Sequence, residues 1–141
     1  MSVLHKKLIY DIITEDKYIT ETLGFKTFSI LKQKDINERV TDDMKYIFIY
    51  EKPAQPTVND AFLTYIYEVD ILVSEKYGEQ ADLCYDQIHA LLGERYIIRD
   101  KRGFNIRLIQ PLGQLATNNT QYQKGLLFGI YNLKTREKIT P

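Results

Sequence analysis

The chain has 141 residues, with 44% hydrophobic and 27% charged side chains, a composition that excludes disorder throughout and a collagen-like or low-complexity fibre. Nineteen basic residues balance nineteen acidic ones, so there is no global positive field of the kind that wraps nucleic-acid phosphates, and little charge repulsion opposes self-association. One cysteine, Cys84, precludes an internal disulfide and a cysteine-rich metal site, and no apolar run approaches the roughly 20 residues that cross a bilayer. A chain of this size folds economically as one domain spanning 1–141, with 135–141 expected to be a flexible charged tail. The N-terminus lacks a signal-peptide core and cleavage site, which predicts a protein that stays in the cytoplasm of its host cell.

Val3, Leu4, Leu8, Ile9, Ile12 and Ile13 recur at helical spacing and predict a first helix. Thr14 is placed to cap a second short helical segment, Glu15 to Leu23, which Gly24 terminates. Phe25 to Leu31 reads as a strand. The stretch from Lys32 to Lys45 has no sustained period and is long for a connection, so it is a candidate contact surface, with a solvated loop as the competing reading. Tyr46 to Tyr50, YIFIY, is a β-branched and aromatic strand that ends before the prolines at 53 and 56.

In TYIYEVDILV, Tyr65, Tyr67, Val69, Ile71 and Val73 alternate with Thr64, Ile66, Glu68, Asp70 and Leu72. That two-residue period predicts one face in the core, while the carboxylates make the other face partly wet or part of a contact with another chain. The following EQADLCYDQIHALLG puts Ala81, Cys84, Ile88, Leu91 and Leu92 on one helical stripe, and Gly93 is expected to end the helix in the left-handed conformation. Tyr96 to Arg99 and Phe104 to Ile109 flank Asp100 to Gly103 as a hairpin whose glycine supplies the turn. A polar loop reaching Gln121 is expected next, then a last strand, Tyr122 to Leu133, in which Gly125 and Gly129 mark a close approach or a bulge. The predicted fold class is α+β: a four- to six-stranded sheet, mainly antiparallel or mixed, covered on one face by two or three helices.

Chemistry is hard to find along this order. His5 and His89 have no second ligand at a metal-binding spacing, and they read as surface or boundary residues. Glu68 and Asp70, two apart on one strand face, could form an acid/base pair or hold a cation, but no third partner is visible. Arg95, Arg99, Lys101, Arg102 and Arg107 make a local basic patch suited to carboxylates of a partner or to phosphate. No phosphate loop, nucleophile elbow, zinc or calcium signature is present, so no catalytic, cofactor or metal residue is assigned. Eleven tyrosines, several alternating along strands, suit an interface or edge strands.

The order of elements, with LIYDIITEDKYITETLG, DMKYIFIYEKP, TYIYEVDILV and a single helix ending HALLG, resembles the tail terminator or tail-completion proteins of long-tailed bacteriophages, also described as minor capsid or head-tail joining proteins. The resemblance covers residues 3 to 133 and rests on pattern, because that family has no invariant motif. It implies a structural virion protein of the tail and neck, assembled in the host bacterial cytoplasm. It further implies a homohexameric ring that caps the tail tube, contacts the tube protein and the head-completion or connector protein, and lets DNA pass its lumen without specific binding. No enzymatic activity, cofactor or membrane contact is expected. Candidate interface residues are Lys34, Asp35, Glu38, Arg39, Asp42, Asp43, Glu68, Asp70, Arg99, Lys101, Arg102, Gln114, Asn118 and Asn119. The rival readings are a head-completion or adaptor protein of the neck, a small ligand-binding or enzymatic domain using Glu68, Asp70 and nearby tyrosines as a pocket, and a nucleic-acid binder using the basic hairpin.

Overall fold

A computed structural model describes residues 3–30, 44–52, 64–99, 101–115 and 121–133. Helix α1, Val3–Glu15, is followed by a π-helical turn, Tyr18–Thr22, and strand β1, Lys26–Ser29. Strands β2, Lys45–Lys52, and β3, Thr64–Ser74, precede a 3-10 turn, Glu75–Tyr77, and helix α2, Gly78–Leu92. Strands β4, Glu94–Arg99, β5, Arg102–Leu115, and β6, Gln121–Leu133, complete the order. The fold is α+β, with one six-stranded mixed sheet in the order β1-β2-β3-β6-β5-β4. Only the β1 and β2 pair is parallel; the other neighbours are antiparallel.

The predicted alternation in β3 is realised on the helical side. Tyr67, Val69, Ile71 and Val73 are buried with Leu126, Phe128 and Ile130 of β6 beneath Ala81, Cys84, Ile88 and Leu92 of α2 and Leu8, Ile9, Ile12 and Ile13 of α1. Burial of such side chains contributes about 1.5–3 kcal/mol each, which makes this layer the main stabilising element. Cross-links fix the helices on the sheet. Asp82 of α2 accepts from the Tyr122 hydroxyl at 2.8 Å and lies 3.0 Å from the Lys124 ammonium, while Asp11 of α1 lies 2.8 Å from Arg99 of β4.

Several local expectations are corrected. Thr14 does not cap the second segment: its hydroxyl donates back to the Tyr10 carbonyl at 2.8 Å inside α1, and Asp16 instead accepts from the Ile19 N–H at 3.3 Å. Gly24 does adopt the left-handed conformation, with φ 79°. Gly93 does not; its φ is −55°, and glycine is needed there because a Cβ would lie 2.6 Å from the His89 carbonyl oxygen. In the β4–β5 hairpin the positive φ, 64°, belongs to Lys101, while Gly103 sits within β5 opposite Ile98.

The first part of the loop expected after Pro111 is strand, and residues 116–120 lie outside the described residues. β5 continues to Leu115, with register shifts between Leu108 and Gln110 and between Pro111 and Gly113. Beyond Arg107 this strand has no β4 partner, so Pro111, which lacks an N–H, removes no ladder bond on that side. The irregularity expected near the β6 glycines thus lies on β5. Gly129 still answers to crowding: a Cβ there would meet Ile109 Cδ1, on the shifted stretch, at 3.0 Å.

Candidate functional site

The sheet face away from the helices is not the wet surface predicted from Glu68 and Asp70. At its β1–β3 end, Phe48, Tyr50, Leu72, Met44 and Ile30 form a second buried cluster flanked by Phe28 and Tyr46. Within it Glu68 is 5% exposed and Asp70 0%. The expected partly wet carboxylate face is corrected: both side chains are buried within this chain. The cause is strand pairing. The register sets Tyr50 opposite Glu68 and Phe48 opposite Asp70, so the aromatic alternation of YIFIY lies over the carboxylates.

Tyr50 is therefore the third group that the linear sequence did not offer. Its hydroxyl donates to Glu68 Oε2 and lies 2.8 Å from Asp70 Oδ2. One hydroxyl carries one proton, so the second short contact requires a proton from the other side. Asp70 supplies it: burial, and then the neighbouring Glu68, push its carboxyl up to about 9. Burial, then Asp70, likewise pushes the Tyr50 phenol far above its ordinary value. The Gln123 amide of β6 donates to Asp70 Oδ2 at 3.2 Å, and the Lys52 ammonium stands 3.6 Å from Glu68 Oε1. Asp70 Oδ1 has no hydrogen-bond partner among the described residues.

This arrangement forms a chain, Asp70 to Tyr50 to Glu68, that holds two protons, one on the Asp70 carboxyl and one on the Tyr50 hydroxyl, and ties β2, β3 and β6 together. It resembles an acid/base pair in composition, yet the groups spend their oxygens on one another and present almost no surface to a substrate. Among the described residues no group of three or more His, Cys, Asp or Glu side chains is placed to hold a metal.

The remaining candidates scatter. Arg99 lies on the helical side, engaged with Asp11, and is 31% exposed, while Arg107 lies on the opposite face beside Glu94 at 3.6 Å. The basic patch is thus divided between two faces. Lys101 and Arg102 stand at the exposed hairpin tip, and Gln114 sits on β5 opposite Lys124. Lys34, Asp35, Glu38, Arg39, Asp42, Asp43, Asn118 and Asn119 lie outside the described residues, as do 135–141. His5 is buried against the rings of Tyr65 and Phe104, at 4.2 and 5.3 Å between centroids, whereas His89 is exposed.

At the β4–β5 end the sheet carries exposed apolar residues that sequence reasoning did not single out: Ile98 at 82%, Tyr96 at 62% and Ile109 at 45%. Tyr96 and Ile98 share the face opposite the helices, because Ile97 between them faces the core. The signal was present in YIIR, where both faces of a strand are apolar. No helix among the described residues is long and apolar enough to cross a membrane. In comparisons with known proteins, the chain matches no protein-family model and no curated protein sequence.

Proposed function

We propose that this chain is a structural virion subunit that forms a ring at the head-proximal end of a phage tail tube, ending tube growth and joining the tail to the head connector. The observation that carries the reading is the exposed apolar pair Tyr96 and Ile98 on β4, the terminal strand of the sheet among the described residues. Apolar residues on a free sheet edge favour association with another chain, and a head-to-tail contact of this kind closes into a ring when its rotation allows. The order of elements, resembling that of tail terminators, names the assembly. The burial of Glu68 and Asp70 weakens the rival enzymatic reading, since a substrate would have to displace the Tyr50 hydroxyl to reach them.

Disrupting the gene in the phage that carries it tests the proposal. A terminator's loss leaves filled heads without joined tails and tails of abnormal length, both restored by the wild-type chain. Normal tails that merely fail to join heads favour the neck-adaptor reading. Unchanged virions refute both.

A further inference from the structure

Between α1 and β1 lies an open groove of about 450 Å³, lined by Lys6, Lys7 and Tyr10 of the helix and Thr27, Phe28 and Ser29 of the strand. Among the described residues, β1 is the terminal strand of the sheet, with β2 as its neighbour on one side only. The direction of its free groups follows from the parallel register. Ser29 is opposite Ile49, and the Ile30 N–H donates to the Ile49 carbonyl at 3.0 Å. In such a ladder the peptide groups of Phe28 and the Ile30 N–H point to β2, and those of Thr27 and Ser29 point outward along the groove. The Thr27 hydroxyl is also buried, with no hydrogen-bond partner among the described residues.

The charge around the groove is one-sided. Lys7 is 62% exposed and lies 3.2 Å from Asp11, but that same carboxylate is already engaged by Arg99 at 2.8 Å. Lys6 reaches the Ile30 carbonyl at 3.4 Å across the end of the groove, and Lys26 is exposed at the start of β1. Among the described residues, the charged side chains that line the groove are Lys6 and Lys7, and the one carboxylate paired with Lys7 is shared with Arg99. Tyr10 and the lysine stems form an apolar wall beneath the charges.

We propose that the groove between α1 and β1 binds an extended acidic segment of a partner protein, which adds a strand to the sheet along the outward peptide groups of Thr27 and Ser29. Backbone pairing supplies the affinity, and the lysines select a segment in which acidic residues stand two positions either side of an apolar one, so that all three side chains share the face turned to α1. The apolar side chain rests on Tyr10, and those two carboxylates meet Lys6 and Lys7. This inference stands on the groove alone and does not depend on the phage assignment.

The test is an amide-resolved NMR titration of the full chain with a short acetylated and amidated peptide in which Glu, Val and Glu occupy every second position between threonines. The Thr27 and Ser29 amides should shift and exchange more slowly with solvent, together with shifts along Lys6 to Tyr10. Lys7→Met should weaken binding about tenfold, as expected when one of a few charge contacts is lost. A peptide with alternating backbone N-methylation should not bind. The proposal is overturned if Thr27 and Ser29 do not respond at millimolar peptide, or if the N-methylated peptide or a Lys and Val peptide binds equally well. Because Lys7→Met alters an exposed residue, an unchanged spectrum away from α1 confirms that the variant is folded.

Discussion

Replacing Asp70 with asparagine should remove a large part of the protein's pH dependence. In the folded chain Asp70 holds its proton up to about 9, whereas an unfolded aspartate loses it near the ordinary carboxylate value. Between those limits the folded state binds one more proton than the unfolded state, so stability is greatest at acid pH and falls as pH rises through this window. One proton's difference makes this a loss on the order of a few kcal/mol between pH 6 and pH 8. An asparagine side chain has nearly the same shape as the protonated carboxyl and carries no ionisable proton. Its amide can donate to Tyr50 as the protonated carboxyl does, so Asp70→Asn should cost little at pH 6 and be relatively stabilised at pH 8. Urea denaturation followed by circular dichroism across this range measures both curves. Parallel wild-type and Asp70→Asn profiles, or a wild type that gains stability from pH 6 to pH 8, would refute the proton on Asp70.

Two other substitutions probe the backbone. Gly93→Ala should destabilise the chain by about 1–3 kcal/mol in chemical denaturation, because the new Cβ meets the His89 carbonyl oxygen at 2.6 Å although φ is ordinary. If the glycine were needed only for its backbone freedom, alanine would be harmless there. Lys101→Gly should stabilise by about 1 kcal/mol through relief of a positive φ of 64°, and a lower melting temperature would count against that account of the turn. Ile98→Glu should leave the monomer folded, since the residue is 82% exposed, but should abolish self-association in sedimentation measurements; undiminished assembly would remove β4 from the interface.

How much of this could be read in advance depended on whether the signal was local. The α2 stripe of Ala81, Cys84, Ile88 and Leu92 and the Tyr67 to Val73 alternation were legible because helix and strand periods are written in consecutive residues. Two carboxylates on a strand looked solvated because isolated charges are costly to bury, and the compensation came from Tyr50 and Gln123, brought there by pairing with β2 and β6. Register between strands distant in sequence is not visible in either strand alone. Gln110 to Leu115 read as loop because Pro111 and Gly113 are turn residues; a strand with one free edge and two register shifts accommodates both. The groove at β1 was hidden for a related reason, since it needs Lys6, Tyr10 and Thr27 side by side.

The most direct test of the proposed assembly role is electron microscopy of the purified chain mixed with tail tubes of the phage from which, on this proposal, it comes. The account predicts a closed ring of this subunit at one end of each tube, with Ile98→Glu leaving the ends bare. Tubes without added density, or with the protein scattered along their length, would contradict it.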